Sequence, residues 1–417
     1  MPVIRIPGEL GDKNLVPFFK GWLWDDDPDD PITFVVEKGT HLAPWAITLF
    51  GAYGIWLKEV RNKQVEIDYF PDSYSGRFIE KMGLPQLLGT APKAQPDQLE
   101  NRNIFPLTRI KDSRDIAPAV EKFLRMLEVD DEEMEGAIKY SLVELLRNVV
   151  QHSRSRIGGI TSAVYFKNTG LVDIVVSDIG CGLKASLRES YPEINTYHKA
   201  VRFALNPHVS GTFRSGAYHS MRDNAGLGLF FIREIASRSG GGFFLGSGDV
   251  MADIWGNKDG TLGKKYVQAT RGGWRGTFAL LQLRKDSIGE FDSLLSTCRR
   301  IAAEVRKDRS EFIVDFVDEK MELEGLKTIC IKEFEENVEE AAKIREKIIL
   351  PTLDREELLV LDFSGVRAAT QSFIHALMYR VFRDGKNLET CLTVSCVDKA
   401  TEEAIKAVAA YAAVENG

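Results

Sequence analysis

The sequence predicts an α/β protein with more than one domain. Strand-like and helix-like stretches alternate near both ends of the chain, over residues 31–89 and 311–415, which is typical of small α/β layer structures. Between them, residues 113–285 contain longer strand and helix patterns separated by glycine-rich turns. A length of 417 residues exceeds one ordinary core, so two or three domains are expected.

The composition is that of a soluble globular protein, with 44% hydrophobic and 28% charged residues. A net charge of −7 without a dense Lys/Arg stripe argues against a nucleic-acid surface. The 5 cysteines are scattered and form no CxxC pair, so neither a zinc site nor a disulfide framework is indicated. We therefore expect the protein to lie in a reducing cytoplasm. The N-terminus lacks the apolar core of a signal peptide. The longest apolar stretch, residues 42–56, is shorter than the roughly 20 residues that span a membrane.

The N-terminal module, residues 1–90, is predicted to contain two strands and two helices. ITFVVEK and QVEIDYF are rich in β-branched and aromatic residues, which favours strands. LAPWAITLFGAYGIWLKEV predicts a buried helix with Pro44 in its first turn, and SGRFIEKMGL predicts a helix with Ser75 as N-cap. Residues 91–112 are polar and contain three prolines, which indicates a linker.

The central range, residues 113–285, is predicted to begin with a helix over residues 131–152. Strands are expected at 161–167 and 172–178, followed by two short helices and a loop that ends near residue 224. A helix at 227–238 and strands at 242–246 and 277–283 complete this unit. Residues 286–310 indicate a helical connector, and residues 311–417 repeat the strand–helix alternation.

The helix at 131–152 carries a polar row, because residues four apart lie on one helix face. Glu144, Asn148 and His152 form this row, and the remaining surface is apolar: Leu142, Leu145, Leu146 and Val149. Buried polar groups need partners, and hydrated magnesium with phosphate oxygens would supply them. Asn148 then offers an oxygen ligand to Mg²⁺, and Glu144 can act as a general base. The alternative is a solvent-exposed polar stripe.

A DxGxG turn follows the strand LVDIVVSD. Asp178 ends the strand, and Gly180 and Gly182 remove side chains where the backbone turns and where a ligand would approach. A carboxylate at this position can accept a hydrogen bond from an exocyclic amine such as that of adenine. The alternative is an ordinary Asp-Gly turn.

A GLGL run, formed by Gly226, Leu227, Gly228 and Leu229, opens the next helix. Backbone N–H groups of a first helical turn can bind phosphate. Upstream of it, Ser210, Arg214 and Arg222 lie in a loop that could act as a lid and carry cations to a γ-phosphate. The alternative is a flexible surface loop.

In this order the motifs resemble the GHKL (Bergerat-fold) ATPases over about 150 residues. The matching features are an N box (Glu144, Asn148), a G1 box (Asp178, Gly180, Gly182), a G2 box (Gly226, Gly228) and the pair Gly276-Thr277. The resemblance implies a central Bergerat α/β sandwich that binds ATP and Mg²⁺. It also implies that Asp178 contacts adenine, Asn148 holds magnesium and Thr277 supports Asp178.

The spacing Glu144, Asn148, His152 is most similar to the N box of the anti-sigma-factor serine kinases. LLVLDFSGVRAATQSFIHALM resembles the strand–turn–helix of STAS-like domains, in which the phospho-acceptor serine begins this helix. Here Ser372 is the candidate acceptor, although the usual Asp-Ser-Ser-Gly string is absent and Ser372 could serve only as a cap. The N-terminal module resembles a diverged STAS-like unit. The fold expected is therefore a central Bergerat domain flanked by two small STAS-like α/β domains.

Two functions follow from this resemblance. One is a cytoplasmic ATPase or protein serine/threonine kinase that acts on a STAS-like or other regulatory protein. The other is a switch or scaffold without kinase activity, in which ATP binding changes how the STAS-like modules pack and recruit partners. A homodimer is compatible with either, and neither a membrane nor a nucleic acid is an expected partner.

Overall fold

The structure is a computed structural model. It shows a mixed α/β protein, which confirms the predicted α/β class. Within the residues it describes, the framework consists of three sheets of three, seven and four strands. The described residues are 3–6, 24, 31–39, 41–90, 103–127, 132–207, 209, 228–257, 262–269, 273–284, 297, 314–319, 321, 326–335, 337–366 and 369–415.

The N-terminal unit is a parallel three-stranded sheet with helices. Its strands are β1 (Val3–Ile6), β2 (Ile32–Val36) and β3 (Val65–Asp68), and its helices are α1 (Pro44–Val60), α2 (Tyr74–Met82) and α3 (Leu84–Leu88). The elements predicted over residues 31–89 are therefore confirmed. The predicted cap is wrong: the Ser73 hydroxyl accepts the Gly76 N–H, whereas Ser75 is buried inside the first turn.

The central unit is built on a seven-stranded antiparallel sheet. Its strands are β4 (Ile104–Ile110), β5 (Gly159–Phe166), β6 (Leu171–Asp178), β7 (Gly242–Gly248), β8 (Val250–Gly256), β9 (Leu262–Gln268) and β10 (Trp274–Arg284). They are ordered β4-β5-β6-β10-β7-β8-β9, so the last strand of the unit lies in the middle of the sheet. This order places the start of β10 beside the end of β6, where the DxGxG turn begins.

Helices cover one face of this sheet. They are α4 (Ile116–Leu127), α5 (Glu132–His152), α6 (Gly182–Arg188), α7 (Tyr197–Ala204) and α8 (Gly228–Arg238). Side chains alternate along a strand, so β10 directs Ala279 and Leu281 into the core under α4, α5 and α8. It directs Phe278 and Leu280 into a second core on the opposite face, which the N-terminal unit covers. The sheet therefore lies between two layers.

The C-terminal unit is a parallel four-stranded sheet with its own core. Its strands are β11 (Asp315–Val317), β12 (Lys327–Cys330), β13 (Leu359–Asp362) and β14 (Leu392–Ser395), in the order β11-β14-β13-β12. Its helices are α9 (Val338–Ile344), α10 (Leu350–Asp354), α11 (Gln371–Asp384), α12 (Leu388–Cys391) and α13 (Lys399–Glu415). A π-helical segment, Arg345–Ile349, joins α9 to α10.

The range predicted as a linker, residues 91–112, contains strand β4. Phe105, Leu107 and Ile110 are buried, and the strand pairs with β5 at an edge of the large sheet. Pro106 lies at a register shift of this edge strand, which is one of the few places where a strand tolerates a proline.

Several elements were not predicted, among them α4, β8 and β9 of the central unit and β1 and β11 of the flanking units. In β8 and β9 charged side chains interrupt the apolar alternation, and Lys265 forms an ion pair with Asp253 across the two strands at 3.7 Å. The predicted connector, residues 286–310, lies outside the described residues apart from residue 297.

Candidate functional site

The polar row of α5 is present as predicted. Leu142, Leu145, Leu146 and Val149 are buried in the core, whereas Glu144, Asn148 and His152 are only half-buried on the same helix. Burial lowers the pKa of His152, so this imidazole is neutral at pH 7. The row therefore offers a carboxylate, a carboxamide and a neutral imidazole at a surface that a ligand can reach.

Glu144 lies directly against the first residue of α8. A Cβ added at Gly228 would be 2.7 Å from Glu144 Oε2, so glycine permits this close approach. The other carboxylate oxygen, Oε1, accepts a hydrogen bond from Arg147 Nη1 at 2.8 Å. Two motifs distant in sequence, Glu144 and Gly228, thus meet at one end of the helix layer.

Asp178 lies at the end of β6 and is buried. Its Oδ1 accepts the Gly180 backbone N–H at 2.9 Å, which closes the DxGxG turn. Gly180 itself packs against the loop after α5, since a Cβ there would be 2.0 Å from the Ser153 carbonyl oxygen. The neighbouring Cys181 N–H donates to the same oxygen at 2.7 Å. This turn is therefore fixed to the end of the helix that carries Asn148.

Thr277 approaches Asp178 from the adjacent strand β10. Its backbone N–H and its hydroxyl both donate to the Asp178 carboxylate. Gly276, immediately before it, has φ +103°, and a Cβ there would be 2.7 Å from Asp178 Oδ1 and 2.3 Å from its carbonyl oxygen. The Gly276-Thr277 pair therefore depends on glycine to bring the threonine to the carboxylate.

Ser247 on β7 connects this pair to the next helix. Its hydroxyl donates to the Gly276 carbonyl at 2.7 Å and accepts the Leu183 N–H, near the start of α6, at 2.9 Å. Gly182 has φ +71°, and a Cβ there would be 2.8 Å from Ser247 Oγ. Nothing in the local sequence GFFLGSG predicts this role, because it depends on strand neighbours.

Burial dominates the electrostatics of Asp178 and raises the pKa of this carboxyl to about 7. The hydrogen bonds from Gly180 and Thr277 act in the opposite direction. An amine of a bound ligand would donate a further hydrogen bond to the ionised form of Asp178. Binding of a nucleobase that carries such an amine would therefore favour the ionised carboxylate over the protonated acid.

Several predicted residues cannot be placed. Gly226, Leu227, Ser210, Arg214 and Arg222 lie outside the described residues, whereas Gly228 and Leu229 begin α8. Ser372 lies in the first turn of α11, and its side chain is outside the described part. The cap of this helix is Thr370, whose hydroxyl accepts the Phe373 N–H.

A magnesium ion would depend on few protein ligands. Among the described residues no group of three or more His, Cys, Asp or Glu side chains is placed to hold a metal. Mg²⁺ commonly keeps waters and binds phosphate oxygens, so one carboxamide ligand such as Asn148 suits it.

One groove in the structure lies away from this site. It has a volume of about 470 Å³ and runs between α4 and α5, where Val120, Val143 and Arg147 line it. None of the motif residues lines it, and Arg147, the partner of Glu144, is its link to the polar row. It therefore does not bear on the predicted nucleotide site.

Sequence reasoning also missed a charge cluster between the central and C-terminal units. It consists of His198, Lys199, Arg202, Lys264 and Asp315, which come from α7, β9 and β11 and are all at least partly buried. Arg202 also donates to the Leu388 carbonyl and the Thr393 hydroxyl, each at 3.3 Å. No local motif could have predicted it.

In comparisons with known proteins, no family model matches the chain and no curated protein matches it. In the part of the chain that the structure describes, no helix combines the length and apolar character needed to cross a membrane.

Proposed function

We propose that this chain is an ATP- and magnesium-binding regulatory protein of the GHKL (Bergerat-fold) class. It would act in the cytoplasm as an ATPase or protein serine/threonine kinase on STAS-like partners. The observation that carries the proposal is a convergence: Thr277 holds the buried Asp178 carboxylate with two hydrogen bonds, while Gly228 lies against Glu144. Motifs that are far apart in the chain thus come into contact in two pairs, one between β6 and β10 and the other between α5 and α8.

The roles of the residues follow from their chemistry. Asp178 would accept the exocyclic amine of adenine, with Thr277 orienting the carboxylate. Asn148 would provide an oxygen to Mg²⁺, which supplies charge neutralisation to the phosphates when it is bound. The helix N-terminus at Gly228 and Leu229 would face phosphate. Glu144 would accept a proton from water or from a hydroxyl.

Asp178→Asn tests the nucleotide site. The variant keeps the shape and one acceptor oxygen but loses the charge, and we expect ATP affinity to fall at least tenfold in calorimetric titration. Asp173→Asn is the matched control, because Asp173 is a buried aspartate on the same strand that accepts a hydrogen bond from Gln282. Equal ATP affinity in Asp178→Asn and the wild type would exclude this assignment.

The pH dependence of this site has a definite sign. An unfolded aspartate has a pKa of about 3.9, and the folded pKa is about 7. The folded state therefore binds more protons in this window, and the free energy of unfolding decreases as pH rises from 4 to 7. ATP would favour the ionised carboxylate, so we expect affinity to increase between pH 6 and pH 8. Asp178→Asn should remove both trends.

A second candidate is a nucleotide-gated switch without kinase activity. One observation favours it: the C-terminal unit contacts α7, which lies in sequence between the DxGxG turn and the predicted lid. Lys199 Nζ donates to the Glu356 carbonyl at 3.2 Å, and Arg202 reaches the Leu388 carbonyl. A change at α7 on nucleotide binding would therefore alter how the C-terminal unit is held.

Incubation with γ-labelled ATP and Mg²⁺, with and without cell extract, separates the candidates. Label on serine or threonine supports the kinase, and free phosphate without protein label supports the ATPase. ATP binding with neither product supports the switch. In the first two cases Glu144→Ala should abolish turnover and retain ATP binding, whereas unchanged turnover would remove Glu144 from the role of base.

A further inference from the structure

The start of β10 contains an irregularity beside the proposed adenine contact. Trp274 pairs with Gly248 and Thr277 pairs with Ser247, so Arg275 and Gly276 are extra residues on this strand. Such a bulge re-aims the side chains that follow it. Here it presents the Thr277 hydroxyl and N–H to the Asp178 carboxylate.

Trp274 fixes this bulge to the strand that carries Asp178. Its indole N–H donates to the Asp178 backbone carbonyl at 2.9 Å, and its side chain is fully buried. Trp274 and Thr277 therefore hold Asp178 from two sides, one through the main chain and the other through the carboxylate.

Trp24 supports Trp274 from the N-terminal unit. Its indole N–H donates to the Gly273 carbonyl at 2.7 Å. Its ring meets the Trp274 ring edge to face, with 5.1 Å between centroids and an angle of 78°. Trp24 thus contacts both the side chain and the backbone at the start of the bulge.

Helix α1 holds Trp24 in turn. The Trp24 ring lies 5.2 Å from that of Tyr53 and 5.5 Å from that of Trp56, both edge to face. Tyr53 and Trp56 are buried residues of α1. Edge-to-face aromatic pairs are directional, so the position of the N-terminal unit is transmitted to the ring of Trp274.

We infer that Trp274 and Trp24 are positioning residues for recognition of the adenine amine, and that the N-terminal unit is an integral part of the nucleotide site. This inference rests on the proposed ATP binding. It extends that proposal because it links the specificity for the base to a unit that contains none of the predicted nucleotide-binding residues. A partner that displaces Trp24 would weaken nucleotide binding.

Trp274→Phe tests the inference, because it keeps an aromatic ring and removes the N–H. Binding of ATP is compared with binding of purine riboside triphosphate, which lacks the 6-amino group. We expect roughly a tenfold loss of ATP affinity, the usual effect of one lost hydrogen bond, and little change for the analogue. Trp24→Phe should give a smaller loss in the same direction. Trp255→Phe is the control, since Trp255 lies on β8 and bonds to Asn257.

The outcomes distinguish a failure of the proposed ATP binding from a failure of the positioning role of Trp274. A wild type that binds neither nucleotide overturns the proposed function and this inference with it. A wild type that prefers ATP, together with a Trp274→Phe variant of unchanged preference, overturns this inference alone. An equal loss for both nucleotides also overturns it, because a general loosening of the fold would not discriminate the amine.

Discussion

The two flanking units contact the central sheet by different means. The N-terminal unit covers one face of the sheet with an apolar layer in which α1 is buried from Pro44 to Leu57. Its buried polar contacts there include a neutral one, the 2.6 Å hydrogen bond between Thr48 Oγ1 and Ser162 Oγ, whereas the ion pair of Glu59 with Arg109 is partly exposed. The C-terminal unit contributes a smaller apolar group to the central core, Val317, Met321 and Val360, and adds the charge cluster around Asp315.

The difference concerns how readily each contact can be reversed. Apolar burial contributes free energy in proportion to area and does not depend on pH or charge. A buried charge cluster needs all of its members, because losing one leaves another charge uncompensated. We therefore expect the N-terminal unit to be a permanent part of the proposed nucleotide site and the C-terminal unit to be released more readily.

The largest effect should come from Asp315→Ala, which removes the carboxylate of the charge cluster. Arg202 and Lys264 would remain buried without it, and breaking a buried pair costs about 3–5 kcal/mol. We expect the contact to open, which can be measured as faster hydrogen exchange of the Asp318 N–H, a donor to the Lys264 carbonyl. Exchange in α1 should not change.

Two variants sharpen this result. Asp253→Ala removes a partly exposed ion pair with Lys265 and should cost less than about 1 kcal/mol. The triple variant Arg202→Met/Lys264→Met/Asp315→Leu replaces charges by apolar side chains and should restore protection of the Asp318 N–H. Unchanged exchange in Asp315→Ala would show that the charges do not hold the contact.

An intermediate effect is expected on acidification. Burial, aided by Arg202, Lys199 and Lys264, lowers the pKa of His198 to about 4, although Asp315 acts in the opposite direction. An unfolded histidine has a pKa of about 6.5. As pH falls, His198 is therefore protonated at a higher pH when the contact is open than when it is closed. The contact should therefore lose about 2–3 kcal/mol between pH 6.5 and pH 4.

His198→Phe is the control for this prediction. It keeps the ring, which meets Tyr266 edge to face at 5.0 Å, and it cannot be protonated. Exchange of the Asp318 N–H, corrected for its intrinsic pH dependence, should then respond less to acid. Burial alone would raise the pKa of Asp315, but Lys264 and Arg202 outweigh it and the pKa is lowered. The stability that the ionised Asp315 contributes is therefore lost only when pH falls below about 4. An equal acid response in the wild type and His198→Phe would exclude His198 as the cause.

The smallest effect concerns the N-terminal contact. Arg109 on β4 donates to both carboxylate oxygens of Glu59 on α1, at 2.5 and 2.6 Å, and the Glu59 side chain is 43% exposed. Exposed pairs contribute little, so Glu59→Gln should reduce the free energy of unfolding by about 0.5 kcal/mol in urea titration, and less in high salt. Glu66→Gln, at an exposed glutamate on β3, is the control. A loss above about 2 kcal/mol would contradict the apolar character of this contact.

Local patterns predicted much of the fold. The strand and helix patterns of residues 31–89 and the helix at 131–152 are confirmed, because period-2 and period-3.6 apolar patterns follow directly from strand and helix geometry. Strand β4 was mistaken for a linker, because polar residues and prolines surround its short apolar run. Strands β8 and β9 were not predicted because charged residues interrupt their apolar patterns. Asp253 and Lys265 form an ion pair across the two strands, which a single stretch of sequence does not reveal.

The sequence by itself determined which residues share the face of α5 and where glycines allow turns, since both depend on spacing and on the absence of a Cβ. Only the tertiary structure decided that Trp274 holds the Asp178 carbonyl, and that Asp315 meets Arg202 and Lys264. These partners are far apart in the chain. Their contact depends on sheet order and on the packing of whole units, which no local period encodes.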